Sequence, residues 1–151
     1  ESMSFESSII TIPEGLFKNC VNGEKFNSVF RGSKITSIPE NLFKYNLNIT
    51  DFSNIFENCK GLTNIPENLF KNNIKVIDFI FVFSGCSGLT SIPEGLFKNN
   101  VNVTSFYYTF LGDSGLTSIP DRIIEAAKKV KEKGGNVNGM FYGCTSDYMK
   151  K

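Results

Sequence analysis

Phe83-Ser-Gly-Cys-Ser-Gly-Leu-Thr-Ser-Ile-Pro-Glu94 decides the fold, because the chain writes it several times. Its closing triplet recurs as Ile12-Pro13-Glu14, Ile38-Pro39-Glu40, Ile65-Pro66-Glu67, Ile92-Pro93-Glu94 and Ile119-Pro120-Asp121, with prolines 26, 27, 27 and 27 residues apart. An apolar pair follows each triplet: Leu16-Phe17, Leu42-Phe43, Leu69-Phe70, Leu96-Phe97 and Ile123-Ile124. A second block keeps the same register, with Phe26 and Phe30 recurring as Phe52 and Phe56, Phe79 and Phe83, Phe106 and Phe110, and finally Val137 and Phe141. Three residues past the second aromatic stand Ser33, Cys59, Cys86, Asp113 and Cys144.

A period of 27 lies within the range of leucine-rich repeats. One such unit cannot bury its own apolar face, whereas stacked units lay identical side chains over one another. The segments Ile-Thr-Ser-Ile, Leu-Thr-Asn-Ile and Leu-Thr-Ser-Ile suit short parallel strands, each stopped by a proline that cannot donate to a ladder. Phe-x-x-x-Phe puts two rings on one helical face, and Thr50, Thr104 and Ser105 stand where N-caps belong. The expected fold is therefore α/β: a leucine-rich-repeat solenoid with a short parallel sheet on one face, short helices and turns on the other, and about five coils of 26–27 residues.

Residues 1–151 read as a single domain, with 121–151 as its C-terminal capping unit, and as part of a longer protein. Asp121 to Gly134 predicts a longer helix, acidic at its start, lysine-rich in its last turns and ended by Gly134-Gly135. Met3 and Glu6 lie 27 residues before Phe30 and Ser33, so the first residues read as the helix block of an earlier unit.

Composition narrows the chemistry. The chain has no His, which removes Ser-His-Asp and Cys-His catalysis and His-ligated metal sites. A net charge of +1 gives no reason to expect nucleic acid as a partner, and no apolar run is long enough to insert in a membrane. No C-x-x-C pair points to zinc or redox chemistry, and no cofactor is expected. Cys59, Cys86 and Cys144 share a column and read as buried free thiols, although neighbouring units leave a disulfide geometrically open. Glu14, Glu40, Glu67 and Glu94 each precede a lysine by four residues, the favourable helical pairing. The sequons Asn48-Ile-Thr50 and Asn102-Val-Thr104 read as capping turns.

The repeats disagree at one informative place. Between the paired aromatics, the first two residues are Asn27-Ser28, Ser53-Asn54 and Asn138-Gly139 in three units, but Ile80-Phe81 and Tyr107-Tyr108 in the two adjacent central ones. Leu111 adds to them, where other units carry Arg31, Glu57, Ser84 and Tyr142. If the Phe columns face inward, Ile80, Phe81, Tyr107, Tyr108 and Leu111 form a candidate exposed apolar binding patch. Local core packing is the alternative.

The Phe83–Glu94 block resembles the BspA-like leucine-rich repeats, a bacterial surface-protein family, and Asn136-Val-Asn-Gly-Met-Phe-Tyr-Gly-Cys144 is similar to related repeats of mycoplasmal and clostridial surface lipoproteins. The resemblance runs over about residues 3–145. Two departures stand out: Ile-Pro follows the strand directly, and Ser33 and Asp113 replace Cys. The resemblance implies cell-surface or secreted display and adhesion to a protein or glycan, and it brings no catalytic residues. The expectation is a binding module that is not an enzyme. A structural spacer in a surface or phage tail protein is the alternative.

Overall fold

A computed structural model describes residues 8–145; the reading of Met3 and Glu6 as part of an earlier unit lies outside them. In the first four repeats the chain turns sharply after the proline, and after Pro120 it enters a helix. Leu42 N–H donates to the Pro39 carbonyl, Lys44 to Asn41 and Asn46 to Phe43, each at 3.2 Å, and the same bonds recur after Pro13, Pro66 and Pro93. These are i→i+3 turns, so the expected helical Glu–Lys pairing does not form. The Glu14 and Glu40 carboxylates instead accept from Asn41 and Asn68 of the next repeat, at 3.1 and 3.0 Å.

The α/β solenoid expected from the sequence is corrected on both of its faces. Among the described residues there is one helix, α1 (Asp121–Glu132), and no extended strand. Four isolated parallel bridges, Lys25–Asp51, Asp51–Asp78, Asp78–Ser105 and Ser105–Asn136, stand in place of a sheet. No main-chain hydrogen bond joins the Ile-Thr-Ser-Ile and Leu-Thr-x-Ile segments to one another. The Phe-x-x-x-Phe block is not helical either. Its second intervening residue has positive φ in every repeat: Ser28 at 61°, Asn54 at 64°, Phe81 at 57°, Tyr108 at 51° and Gly139 at 65°. A left-handed residue there breaks a right-handed helix and instead completes a turn of the kind that needs φ > 0 at its third position.

This block, rather than the expected strands, carries the bonds between repeats. Phe52, Asn54, Phe56 and Asn58 donate to the carbonyls of Asp78, Ile80, Val82 and Ser84 at 2.7–3.2 Å, and the equivalent set joins each neighbouring pair of repeats. The expected caps are reassigned as well. Asp51, Ser105 and Asn136 accept from the N–H two residues on, closing side-chain turns, while Thr50 and Thr104 hydroxyls reach back to the carbonyls of Glu24 and Ile77 in the preceding repeat.

Matching phenylalanines meet across repeats. Phe30, Phe56, Phe83, Phe110 and Phe141 stack with centroids 5.6–5.8 Å apart, and Phe17, Phe43, Phe70 and Phe97 with 6.0–6.3 Å, all within 10° of parallel. Rings of the Phe17 column tilt against a third column, Phe26, Phe52, Phe79 and Phe106, as in Phe43–Phe52 at 4.6 Å and 49°. Offset and tilted arrangements suit the ring quadrupole and add about 0.5–1.5 kcal/mol per pair beyond burial. The stack ends on α1, whose Ile123 and Val130 are buried. Asp121 opens α1, Lys129 and Lys131 close it, and Gly134 follows at φ 84°, as the sequence predicts.

Candidate binding surface

The two positive-φ positions in each turn block fix where side chains go. The second is Gly32, Asn58, Gly85, Gly112 or Gly143, with φ between 61° and 83°, and Gly and Asn tolerate that region. The first is the place where the central repeats carry Phe81 and Tyr108. An aromatic residue in the left-handed region is an outlier that costs about 1–2 kcal/mol.

The rings of the two central repeats come together. Phe81 lies 5.4 Å from Tyr108 at 25° and 5.7 Å from Tyr107 at 80°, and Tyr107 and Tyr108 are 4.2 Å apart. Desolvation and a hydrogen bond with Tyr108 hold the Tyr107 phenol above its ordinary range. Tyr108 also covers Gly139 of the last repeat, where any Cβ would overlap its ring. All five predicted residues, Ile80, Phe81, Tyr107, Tyr108 and Leu111, are half-buried: neither core nor fully open. Beside Leu111 in the same column stands Tyr142, 67% exposed. On the other side the column turns polar, with Glu57 ion-paired to Arg31 at 2.7 Å and accepting from Asn54 at 3.2 Å.

The cysteine column is a row of free thiols. Cys59 and Cys86 thiols donate to the carbonyls of Phe30 and Phe56, both at 3.1 Å. Burial raises both thiols above their ordinary value, and it pushes Cys144 up to about 12. Asp113 interrupts this row fully buried. One carboxyl oxygen accepts from Cys86 N–H at 2.8 Å, the other has no hydrogen-bond partner, and desolvation pushes its pKa to about 9.

Two features went unread in the sequence. The first is a buried amide ladder. Asn46, Asn73 and Asn100 each donate from Nδ2 to two carbonyls of the preceding repeat, Asn73 to Phe43 at 3.1 Å and to Asn46 at 2.9 Å. Asparagine recurring at one register was the signal. The second is an exposed apolar row, Val21, Leu47, Ile74 and Val101, which follows the ladder by one residue. A cleft of about 400 Å³ between α1 and the preceding repeat ends this row, lined by Phe97, Val101, Val103, Phe106, Ala126 and Val130 among others.

No protein-family model matches the chain, and curated proteins yield no significant relative. Among solved structures, the fold is similar to part of the Toll–Spatzle complex of Drosophila, described there as a molecular hub in development and innate immunity, with a TM-score of 0.57 and 17% identity. The likeness covers 92% of this chain and 20% of that one, so the chain spans about a fifth of its length. At that identity the comparison speaks to fold alone, and the fold it shows is leucine-rich-repeat-like.

Proposed function

We propose that this chain is a non-enzymatic binding module whose contact surface centres on Phe81, Tyr107 and Tyr108, flanked by Ile80 and Leu111. One observation carries the reading: Phe81 and Tyr108 occupy left-handed backbone positions that Ser28, Asn54 and Gly139 fill in the other repeats. Backbone strain of this kind is held by the surrounding structure and clusters at ligand-contact sites. Half-burial also returns only part of the hydrophobic gain of two large rings. Tyrosine-rich apolar clusters of this sort are typical of recognition surfaces. The bridges and ring stacks between repeats hold the cluster in place, so contact costs little ordering entropy. The partner is a protein or a glycan. Display at a cell surface or by secretion, as in the BspA-like bacterial proteins, rests on the resemblance of the Phe83–Glu94 block.

The test compares the chain with a Tyr107→Ser/Tyr108→Asn variant on protein and glycan arrays. Asn is already used at this register by Asn54 at φ 64°, so the variant relieves strain while removing rings. It should unfold as cooperatively as the parent and lose at least about tenfold in signal on at least one partner that the parent captures. Equal capture of every partner by the variant would reject this surface, and a variant that fails to fold would assign the rings to the core.

A further inference from the structure

Val21, Leu47, Ile74 and Val101 stand at the corners of turns, where polar residues are usual, yet they are 45, 52, 52 and 68% exposed. Four successive repeats place an apolar side chain outward at the same register, so they form a continuous row along the stack. The row lies on a different arc of each repeat from the Tyr107–Tyr108 cluster, between the Phe97 and Phe106 positions and not beyond Phe106. Its surroundings carry two further signals. Lys18, Lys44, Lys71 and Lys98 each sit three residues before a row residue, and among the described residues none of them is ion-paired with a carboxylate. Lys98 and Val101 line the same cleft, where Arg122 and Lys129 of α1 and Lys133 just after it outnumber the carboxylates of Glu94 and Glu125. Exposed asparagines border the row. Asn72 and Asn99 donate from Nδ2 to the carbonyls of Lys44 and Lys71, and Asn102 donates to that of Ile74. With one Nδ2 hydrogen of each turned inward, the amide oxygen is left as an acceptor.

We infer that this row is a second docking surface, for an extended acidic segment of another protein with alternating apolar residues. Three properties select that occupant. The row takes apolar side chains, its lysines, Lys44 lying over the Tyr45 ring and none ion-paired with a carboxylate among the described residues, call for carboxylates, and its amide oxygens accept the N–H groups that an extended main chain presents. The spacing agrees as well. Homologous rings next to the row repeat every 6.0–6.3 Å. Alternate residues of an extended chain repeat every ~6.6 Å, a little less when twisted. Each repeat therefore meets one apolar side chain of the segment, with the intervening acidic residues turned toward the lysine column. Recognition in this mode resembles strand addition, with the amide side chains replacing a sheet edge.

The probe is a fluorescein-labelled acetyl-(Glu-Val)5-amide peptide, read by anisotropy and by amide chemical shifts of the full chain. Saturable binding is expected, with shifts along residues 44–48, 71–75 and 98–102. Leu47→Asn/Ile74→Asn should weaken it at least about tenfold, at exposed turn corners that suit Asn. Lys44→Glu/Lys71→Glu should abolish it, and the Tyr107→Ser/Tyr108→Asn variant should leave it unchanged, which separates this surface from the aromatic one. No binding, equal binding of (Glu-Ser)5 or (Lys-Val)5, or insensitivity to the Leu47 and Ile74 changes would overturn the inference. So would capture by phosphatidylserine vesicles without peptide binding, which would make the row a membrane contact.

Discussion

At the scale of single residues, the column through Ser33, Cys59, Cys86, Asp113 and Cys144 shows what one position demands. It demands a small side chain that brings its own proton, because thiols there donate to buried carbonyls. Asp113 departs from it, accepting from Cys86 N–H while its other oxygen has no hydrogen-bond partner, and burial there favours the neutral acid. Its surroundings are Cys86 N–H, the Cys86 and Cys144 thiols and the buried interior, with no cation among them, and its pKa is accordingly pushed up to about 9. An unfolded Asp titrates near ~3.9. Between those two values the folded chain holds a proton that the unfolded chain has released. The stabilisation is therefore complete below about pH 4 and declines as pH rises toward 9. The slope is at most about 1.4 kcal/mol per pH unit. Urea titrations at pH 5 and pH 8 should show the parent losing at least about 1 kcal/mol, with Asp113→Asn nearly flat. Asp78, raised by desolvation and by Asp51, titrates in both proteins, so the difference between them isolates Asp113. Parallel pH profiles for the two would mean that Asp113 is ionised in the fold.

At the scale of elements, the asparagine ladder holds each post-proline turn against the one before it. The carbonyls of Phe43 and Asn46 are covered by the next repeat and receive their protons from Asn73. Asn73→Leu fills the space but strands the Asn46 carbonyl, while the Phe43 carbonyl keeps only the Asn46 N–H. A buried group left unpaired costs about 1–3 kcal/mol, so the variant should lose about that much stability, read as a lower denaturant midpoint at unchanged slope. Asn72→Ala, which removes an exposed 3.5 Å bond from the adjacent residue, should stay within about 0.5 kcal/mol. Equal costs for the two would deny the ladder its role. This element was legible only as an unread letter of the repeat. The period, the columns of core phenylalanine and α1 were legible because they follow from in-register recurrence and from end signals such as Asp121 and Gly134. The character of the turn block was not. Phe52 and Phe56 four residues apart suit a helical face, but two consecutive turns bring them to the same side equally well. What decides between them is the left-handed residue at Asn54, and Phe81 and Tyr108 at that register carry no propensity for it. Ile-Thr-Ser-Ile has β-branched character without a ladder, since that character reports a half-buried extended surface and not its hydrogen bonds. For the aromatic patch, the break in the repeat pattern located the residues, and their half-burial is a property of the turns that only the fold reveals.

At the scale of the whole molecule, repeats touch their sequence neighbours and little else, so stability should behave as a sum over units and their interfaces. Removing residues 40–66 tests this, because Glu67 then follows Pro39 exactly as Glu40 does, and every column stays in register. Phe30 would stack on Phe83, each having stacked on Phe56 at 5.6 Å before. Arg31 would lose Glu57, which matters little because its own side chain is 58% exposed and such pairs contribute about 0–1 kcal/mol. The shortened chain should fold cooperatively, with a lower melting temperature and a smaller denaturant slope, since less surface is buried. Ring contacts between Phe30 and Phe83 should appear by NMR. Removing residues 40–52 instead deletes half a period, sets Phe56 and its turn against the post-proline turn of the first repeat, and should leave the chain unfolded. If both deletions fold equally well, register is not what holds the repeats together. If neither folds, the stack is a single indivisible unit whose stability cannot be divided among its repeats.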